Sequence, residues 1–141
     1  MEKIISVKLF AIVICLFVFF TAIILIYKNL NENIVINIYY TGNNGNARKF
    51  AEEMEASGLV EAIRNEDGNL RYEYFYPKND GETILLIDIW KNQKALDLHH
   101  KTPMMEKIAE LRNKYDLHMK VERYNLEGKN NLKSDEKFIR R

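Results

Sequence analysis

The sequence predicts an α+β domain that follows one long apolar segment. Over residues 34–126, four stretches have the composition and alternation of β-strands, and two stretches repeat apolar residues at helical spacing. Their order is strand, helix, strand, strand, helix, strand, which is the ferredoxin-like βαββαβ pattern. We therefore divide the chain into an N-terminal transmembrane anchor over residues 1–28, this domain, and a polar C-terminal tail over residues 127–141.

The apolar run Leu9–Tyr27 contains neither a charged residue nor a proline. As a helix it would be about 30 Å long, which matches the hydrocarbon core of a bilayer. The apolar part of a signal peptide is shorter, at about 7 to 15 residues, so an uncleaved single-pass anchor over residues 4–27 is favoured. Lys3 and Lys8 precede the run, which favours a cytoplasmic N-terminus and a domain on the outer side of the cell membrane.

Charge and cysteine content disfavour two classes of protein. The formal net charge is +1 and the basic residues form no block, so nucleic acid is not an expected partner. The single cysteine, Cys15, lies inside the apolar run, so the sequence holds no disulfide framework.

The segment Ile34–Tyr40 (IVINIYY) predicts the first strand, because it is rich in β-branched and aromatic residues. One of its faces is apolar, and the other carries Asn37 and Tyr39. The following TGNNGN breaks the chain, and Asn46 can cap a helix that Gly58 ends or kinks. The apolar face of this helix consists of Ala47, Phe50, Ala51 and Met54.

Two strands follow a turn at Asp67-Gly68. The first alternates through RYEYFY, and the second, Thr83–Trp90 (TILLIDIW), is apolar on both faces. A strand of this kind needs cover on both sides, whereas two helices cover only one face of a four-stranded sheet. We therefore expect a homodimer, a dimeric α+β barrel in which a second copy of the sheet covers the other face.

A helix-to-helix corner precedes the last strand. The segment NQKALDLHHK predicts a short helix, and Thr102-Pro103 is an N-cap followed by a proline at the first helical position. Met104, Ile108, Leu111 and Tyr115 then recur at helical spacing, and LHMKVERY alternates as the fourth strand.

Three of these features together resemble the antibiotic biosynthesis monooxygenase (ABM) family, which includes quinol monooxygenases. NEDGNLRYEYF resembles the family's acidic-x-Gly turn before a strand that begins with a tyrosine. In IWKNQKALDLHHKTPMM, the family pattern is an aromatic residue at a strand end, Ala-Leu, a histidine nine residues after the aromatic, and Ser/Thr-Pro. The matching residues are Trp90, Ala95-Leu96, His99 and Thr102-Pro103. The third feature is the element order, so the resemblance covers residues 34–126.

The resemblance implies a membrane-anchored monooxygenase that oxidises a quinol or another hydrophobic phenolic compound. Dioxygen is the co-substrate, and no metal, haem or flavin is required. An electron-rich phenolate can itself reduce dioxygen, so the protein needs only to deprotonate, orient and enclose it. A non-catalytic dimeric module for ligand binding or assembly is the alternative, because the matching residues also define the fold.

A haem-degrading relative is the second alternative, and it is disfavoured. Those relatives use an asparagine in the first strand, a tryptophan, and a histidine some ten residues further on as the iron ligand. Asn37 fits the first position loosely, whereas the tryptophan position holds His99 and the ligand position holds Ala109. Of the remaining histidines, His118 could still serve as a haem ligand.

The catalytic candidates are His99, Asn37 and Trp90. His99 could accept a proton from the substrate, since imidazole titrates near neutrality, or it could fix the helix end by bonding a carbonyl. Its neighbour His100 is turned about 100° away on a helix, so the two rings are not expected to face one point. A metal is not expected, because helical ligands are spaced i, i+3 or i+4 and no carboxylate or cysteine completes a set.

The other candidates follow from polar groups in apolar strands. A buried Asn37 must bond neighbouring backbone or address the ligand, and Trp90 could form a pocket wall or simply core. The substrate-binding candidates are Tyr39, Tyr72, Tyr74 and Asp88. As a base, Asp88 would need a pKa raised by burial, and as a structural group it would pair with Arg or Lys, which is the commoner case.

Overall fold

The computed structural model describes residues 2–30 and 32–126, so the predicted tail over 127–141 lies outside the described residues. The chain separates into two compact units, residues 1–31 and residues 32–141. The first unit contains one helix, α1 (Glu2–Leu30).

Large apolar side chains on α1, among them Phe17 and Leu25, are exposed. Within the described residues, no helix is both long enough and apolar enough to cross a membrane. The predicted helix is therefore confirmed, but its role as a transmembrane anchor over residues 4–27 is not supported.

The second unit has the predicted βαββαβ order, with each helical segment divided in two. Its elements are β1 (Asn33–Thr41), α2 (Asn46–Ala56), α3 (Leu59–Arg64), β2 (Asn69–Phe75), β3 (Thr83–Trp90), α4 (Gln93–His99), α5 (Met104–Lys114) and β4 (His118–Leu126). Gly58 adopts a left-handed conformation with φ 77° between α2 and α3, as the prediction of a helix end there requires.

The four strands form one antiparallel sheet in the order β2-β3-β1-β4. Ile36 of β1 pairs with Asp88 of β3, and Asp88 pairs in turn with Tyr72 of β2. Since residues directly opposite each other share a face, these three side chains lie in a row on one side of the sheet. The ferredoxin-like topology is confirmed.

The hydrophobic core lies between this face and the helices. Its largest fully buried side chains are Trp90, Phe50, Met54, Ile63, Ile84, Leu86, Leu96 and Val60. On the other face of β3, the alternate residues Leu85, Ile87 and Ile89 are only half-buried. The expected cover on both sides is therefore incomplete within one chain, and the dimer stays a prediction.

Candidate active site

A cavity of about 310 Å³ lies between the helix-covered face of the sheet and the α4–α5 corner. This volume is at the lower end of the range of small-molecule sites, about 300 to 1,000 Å³, and suits a ligand of one or two rings. The sheet contributes Ile36, Ile38, Tyr40, Tyr72, Leu86, Asp88, Met119, Val121 and Arg123 to the lining. The helices and their corner contribute Leu96, His99, His100, Met105, Ile108 and Arg112.

His99 is the last residue of α4 and lies in the cavity wall with only 4% of its surface exposed. The start of this short helix is fixed by Asn92, whose side-chain Oδ1 accepts a hydrogen bond of 2.9 Å from the backbone N–H of Ala95. Rigid capping of a two-turn helix keeps its C-terminal histidine in one place. The prediction that His99 belongs to a pocket is consistent with this geometry.

A carboxylate orients the His99 ring. Nδ1 of His99 lies 3.0 Å from Oε2 of Glu66, in the turn that precedes β2. Because a carboxylate only accepts hydrogen bonds, this contact places the proton on Nδ1, and Nε2 of the neutral ring is left as an acceptor. Burial lowers the pKa of His99, and the charge of Glu66 opposes that fall. The ring is therefore an uncharged proton acceptor at neutral pH.

Trp90 lies behind His99 rather than in the cavity wall. The two rings stack with their centroids 4.8 Å apart and an interplanar angle of 30°. Trp90 is completely buried and is not among the residues that line the cavity. It supports the imidazole, so its expected catalytic role reduces to holding His99 in place.

Asp88 is a buried acid in the floor of the cavity, with 4% of its surface exposed. Nδ2 of Asn69 donates a hydrogen bond of 3.2 Å to its Oδ1. In the part of the chain that the structure describes, no lysine or arginine forms an ion pair with it, so the expected Arg or Lys partner is not found there. Burial raises the pKa of Asp88 to about 7, which is the condition that a base at this position requires.

Two tyrosines face the cavity beside this acid. Tyr72 lies opposite Asp88 on the neighbouring strand, and Tyr40 lies further along β1. Burial raises the pKa of Tyr40 to about 12, and it raises that of Tyr72 well above its ordinary value. Both phenols are therefore protonated near neutral pH and can donate hydrogen bonds. Tyr74, by contrast, is a core residue packed edge-on against Phe50, with centroids 6.3 Å apart.

Asn37 and Tyr39 lie on the opposite face of the sheet. The alternation of β1 turns Ile36 and Ile38 toward the cavity, and these two residues therefore occupy the place that the resemblance would give to Asn37. The hydroxyl of Tyr39 donates to Oε2 of Glu122 on β4 at 3.3 Å. Within one chain, the described residues therefore do not bring Asn37 or Tyr39 into the cavity that His99 lines, and their site roles stay predictions.

His100 was expected to turn away from the point that His99 faces, but it also lines the cavity, from the exposed rim. The two imidazole centroids are 5.8 Å apart. Among the described residues, no group of three or more His, Cys, Asp or Glu side chains could hold a metal ion.

The cavity is also lined or supported by residues that were not among the predicted site residues. Tyr40 continues the apolar face of β1, so the strand's alternation alone could have pointed to it. Glu66 lies in the acidic turn of the NEDG segment, yet it reaches His99 across 33 positions of sequence. Arg112 and Arg123 line the rim, and no local pattern distinguishes them from other surface cations.

The fold and the site together define a class of protein. This is a ferredoxin-like α+β domain with a small-molecule cavity between its sheet and helices, and a histidine–carboxylate pair in the wall. Residues 33–111, more than half of the chain, match the family model "Antibiotic biosynthesis monooxygenase" (ABM). The chain belongs to this family.

Two individual proteins match shorter stretches of this chain. The chain is 33% identical over 48 residues to "Putative monooxygenase YcnE" of Bacillus subtilis, an alignment that covers 34% of this chain and 50% of that protein. It matches 35% of the uncharacterized protein sll1783 of Synechocystis at 29% identity over 52 residues, 37% of this chain. The chain therefore spans half or less of the lengths of these curated relatives.

Among solved structures, the fold is shared with SnoaB, a cofactor-independent oxygenase from Streptomyces nogalater. The TM-score is 0.56 at 10% identity, over 71% of this chain and 98% of SnoaB. A "putative antibiotic biosynthesis monooxygenase" from Deinococcus radiodurans gives a TM-score of 0.61 at 17% identity, over 70% and 96% of the two chains. These likenesses show the fold, and membership of the family supports an oxidoreductase at the coarse level.

Proposed function

We propose that the domain is a cofactor-independent monooxygenase that oxidises a quinol or a related phenolic compound with dioxygen. The observation that carries the proposal is the buried His99 in the cavity wall, with Nδ1 3.0 Å from Glu66 and Nε2 left to accept a proton. Membrane attachment through residues 4–27 is not part of the proposal, because no helix of the described residues qualifies as a membrane span.

The reaction begins with deprotonation of the substrate hydroxyl by Nε2 of His99. The resulting phenolate is a strong electron donor, and an apolar cavity protects it from water and side reactions. A quinol and dioxygen then give a hydroxyquinone and water: one oxygen atom enters the ring, the other becomes water, and the substrate supplies all four electrons. Asp88 and Tyr72, side by side in the floor, can exchange protons or hydrogen bonds with the substrate's second oxygen.

The chemistry of the His99–Glu66 pair favours a functional role over a purely structural one. Oε1 of Glu66 is buried and has no hydrogen-bond partner. A half-satisfied buried carboxylate destabilises a fold, and an apolar replacement would serve packing better. Such groups persist where the chemistry needs them.

Oxygen uptake by the purified protein, measured with a panel of quinols and phenols, tests the proposal. We expect uptake with at least one of them, and His99→Ala should lower kcat/KM by roughly 10² because general-base catalysis is lost. His118→Ala is the matched control, since His118 is exposed at the start of β4 and does not line the cavity. A folded protein that consumes no oxygen with the whole panel would contradict the proposal.

The open cavity also bears on the two alternatives. A purely architectural module would be expected to fill this space with side chains, whereas about 310 Å³ is open. A ligand-binding module without turnover is separated from an enzyme by the same oxygen measurement. The position of the iron ligand in haem-degrading relatives is occupied here by Ala109, a half-buried residue of α5 whose side chain cannot bind iron. We therefore expect added haemin to produce no shifted Soret band.

A further inference from the structure

The rim of the cavity carries two guanidinium groups on different elements. Arg112 lies on α5 and is half-buried, and Arg123 lies on β4 and is exposed. Both line the same cavity as His99. Two cations, from a helix and from a strand, that line one cavity create a positive potential there for a ligand.

Neither cation is neutralised within the described part of the chain. The side chain of Arg112 contacts the neutral sulfur of Met119, with Nη1 and Sδ 3.2 Å apart, and Arg123 donates to the side-chain oxygen of Gln93. No carboxylate of the described residues forms an ion pair with either group. Both can therefore bind an anion without first breaking a salt bridge.

The Arg112 side of the cavity offers a further donor. Burial raises the pKa of Tyr40 to about 12, and the charge of Arg112 opposes part of that rise, so the guanidinium acts on this phenol. A protonated tyrosine hydroxyl and a guanidinium both donate hydrogen bonds, and a carboxylate accepts them in bidentate fashion. Asp88 is the one acid in the lining, and it belongs to the floor.

We propose that the substrate is an aromatic acid, whose carboxylate is held at the rim by Arg112 and Arg123 while its phenolic hydroxyl faces His99. This substrate class deepens the proposed function and rests on it only for the oxidation of the ring. Binding of the acid can be measured without turnover, so the two proposals fail separately.

The test is anaerobic binding to the full chain of 2,5-dihydroxybenzoate and of its methyl ester. The two probes share the phenolic ring and differ in one charge. Calorimetry gives the affinity, and the fluorescence of Trp90, the only tryptophan, reports events next to His99. We expect the acid to bind at least tenfold more tightly than the ester, since hydrogen bonds to charged groups contribute more than neutral ones. Added salt should weaken the binding of the acid and leave that of the ester unchanged.

Variants locate the effect. Arg112→Gln with Arg123→Gln should remove the preference for the acid, and each single change should remove part of it. Arg48→Gln is the control, because Arg48 lies over Tyr76 outside the cavity. If the double variant unfolds, the single variants Arg123→Gln, at an exposed position, and Arg112→Lys, which keeps the charge, are tested instead. Arg123→Gln should then reduce the preference for the acid, and Arg112→Lys should retain most of it.

Equal affinity for acid and ester, binding of neither probe, or a preference that survives the double variant would overturn the inference. Preferential binding of the acid, combined with no oxygen uptake from any compound of the panel, would support the anion subsite and contradict the proposed monooxygenase activity.

Discussion

At the scale of single residues, Glu66 orients the ring of His99 and limits the fall of its pKa that burial causes. Its carboxylate accepts from Nδ1 at 3.0 Å and raises the pKa of the imidazole against the effect of burial. In Glu66→Gln the charge is lost, so the pKa of His99 should fall further. We expect kcat/KM to drop about tenfold, as with other partners that orient a histidine, and its acidic limb to move to lower pH.

The readout for Glu66 is the pH profile of kcat/KM, which a merely structural role would not shift. Glu61→Gln is the matched control, because Glu61 is exposed on α3 and accepts only from Asn65. A Glu66→Gln variant with an unchanged limb would show that the carboxylate does not set the protonation of His99.

Asp88 should make the stability of the fold depend on pH. Burial raises its pKa from an ordinary 3.8 to about 7, so the native state holds a proton that the unfolded chain releases between these values. Its stabilising contribution is complete below pH 4 and is lost as the pH rises toward 7. Asp88→Asn keeps the acceptor for Asn69 and removes the ionisation.

The variant Asp88→Asn should therefore lack this loss. At pH 8 we expect it to be more stable than the natural protein by up to about 4 kcal/mol, because each tenfold difference in proton affinity between the native and unfolded states corresponds to about 1.4 kcal/mol. Urea unfolding at pH 5 and pH 8 measures the difference. Asp97→Asn, an exposed carboxylate on α4, controls for the change of net charge. Parallel pH dependence in Asp88→Asn and the natural protein would contradict a raised pKa at Asp88.

At the scale of elements, the local patterns predicted the strands and helices well. Period-two alternation located the strands, Gly58 marked the break between α2 and α3, and the Thr102-Pro103 corner separated α4 from α5. The hydroxyl of Thr102 donates to the carbonyl of His99 at 2.8 Å, although Pro103 rather than Thr102 occupies the cap position of α5. Each of these signals acts within a few residues, so one sequence contains it.

The candidate site was less predictable, because it depends on contacts between elements. Alternation did place Asn37 on the face of β1 opposite Ile36, but alternation within one strand does not say which face of the sheet the helices cover. The contact of Glu66 with His99 joins two segments 33 positions apart. The raised pKa of Asp88 reflects burial, and burial is known only once the packing is known.

The turn before β2 gives a prediction at this scale. Gly68 has a φ of 94°, and a Cβ there would lie 2.6 Å from Cβ of Ala95 in α4. An alanine at this position would strain the backbone, because of the positive φ, and its Cβ would clash with Ala95. Gly68→Ala should therefore destabilise the domain by roughly 1–3 kcal/mol. Because this turn carries Glu66 and α4 carries His99, activity should fall as well.

Thermal unfolding and oxygen uptake measure the two effects of Gly68→Ala. Gly81→Ala is the control, since Gly81 lies in the connection between β2 and β3 and a Cβ there meets nothing within 4 Å. Equal stability of the two variants would mean that the turn and α4 are not closely packed.

At the scale of the whole molecule, the face of the sheet that the helices do not cover is only partly buried within one chain. Leu85, Ile87 and Ile89 are half-buried there, and Oδ1 of Asn37 is buried without a hydrogen-bond partner. An apolar patch of this kind combined with an unsatisfied acceptor is characteristic of a surface that a further layer covers. A second copy of the sheet would bury the patch and could supply the missing donor.

The prediction is a homodimer through this face, and Ile87 lies near its middle, paired with Asn37 on one side and Glu73 on the other. Ile87→Glu would set a charge beside Glu73 and inside the apolar contact, so we expect a folded monomer where the natural protein sediments as a dimer. Leu98→Glu is the control, since Leu98 is exposed on α4 and outside the face. Residues 32–141 form a compact unit, so sedimentation of that fragment separates association through the sheet from association through α1. A monomeric fragment, or an Ile87→Glu variant that stays dimeric, would show that the sheet face is not the interface.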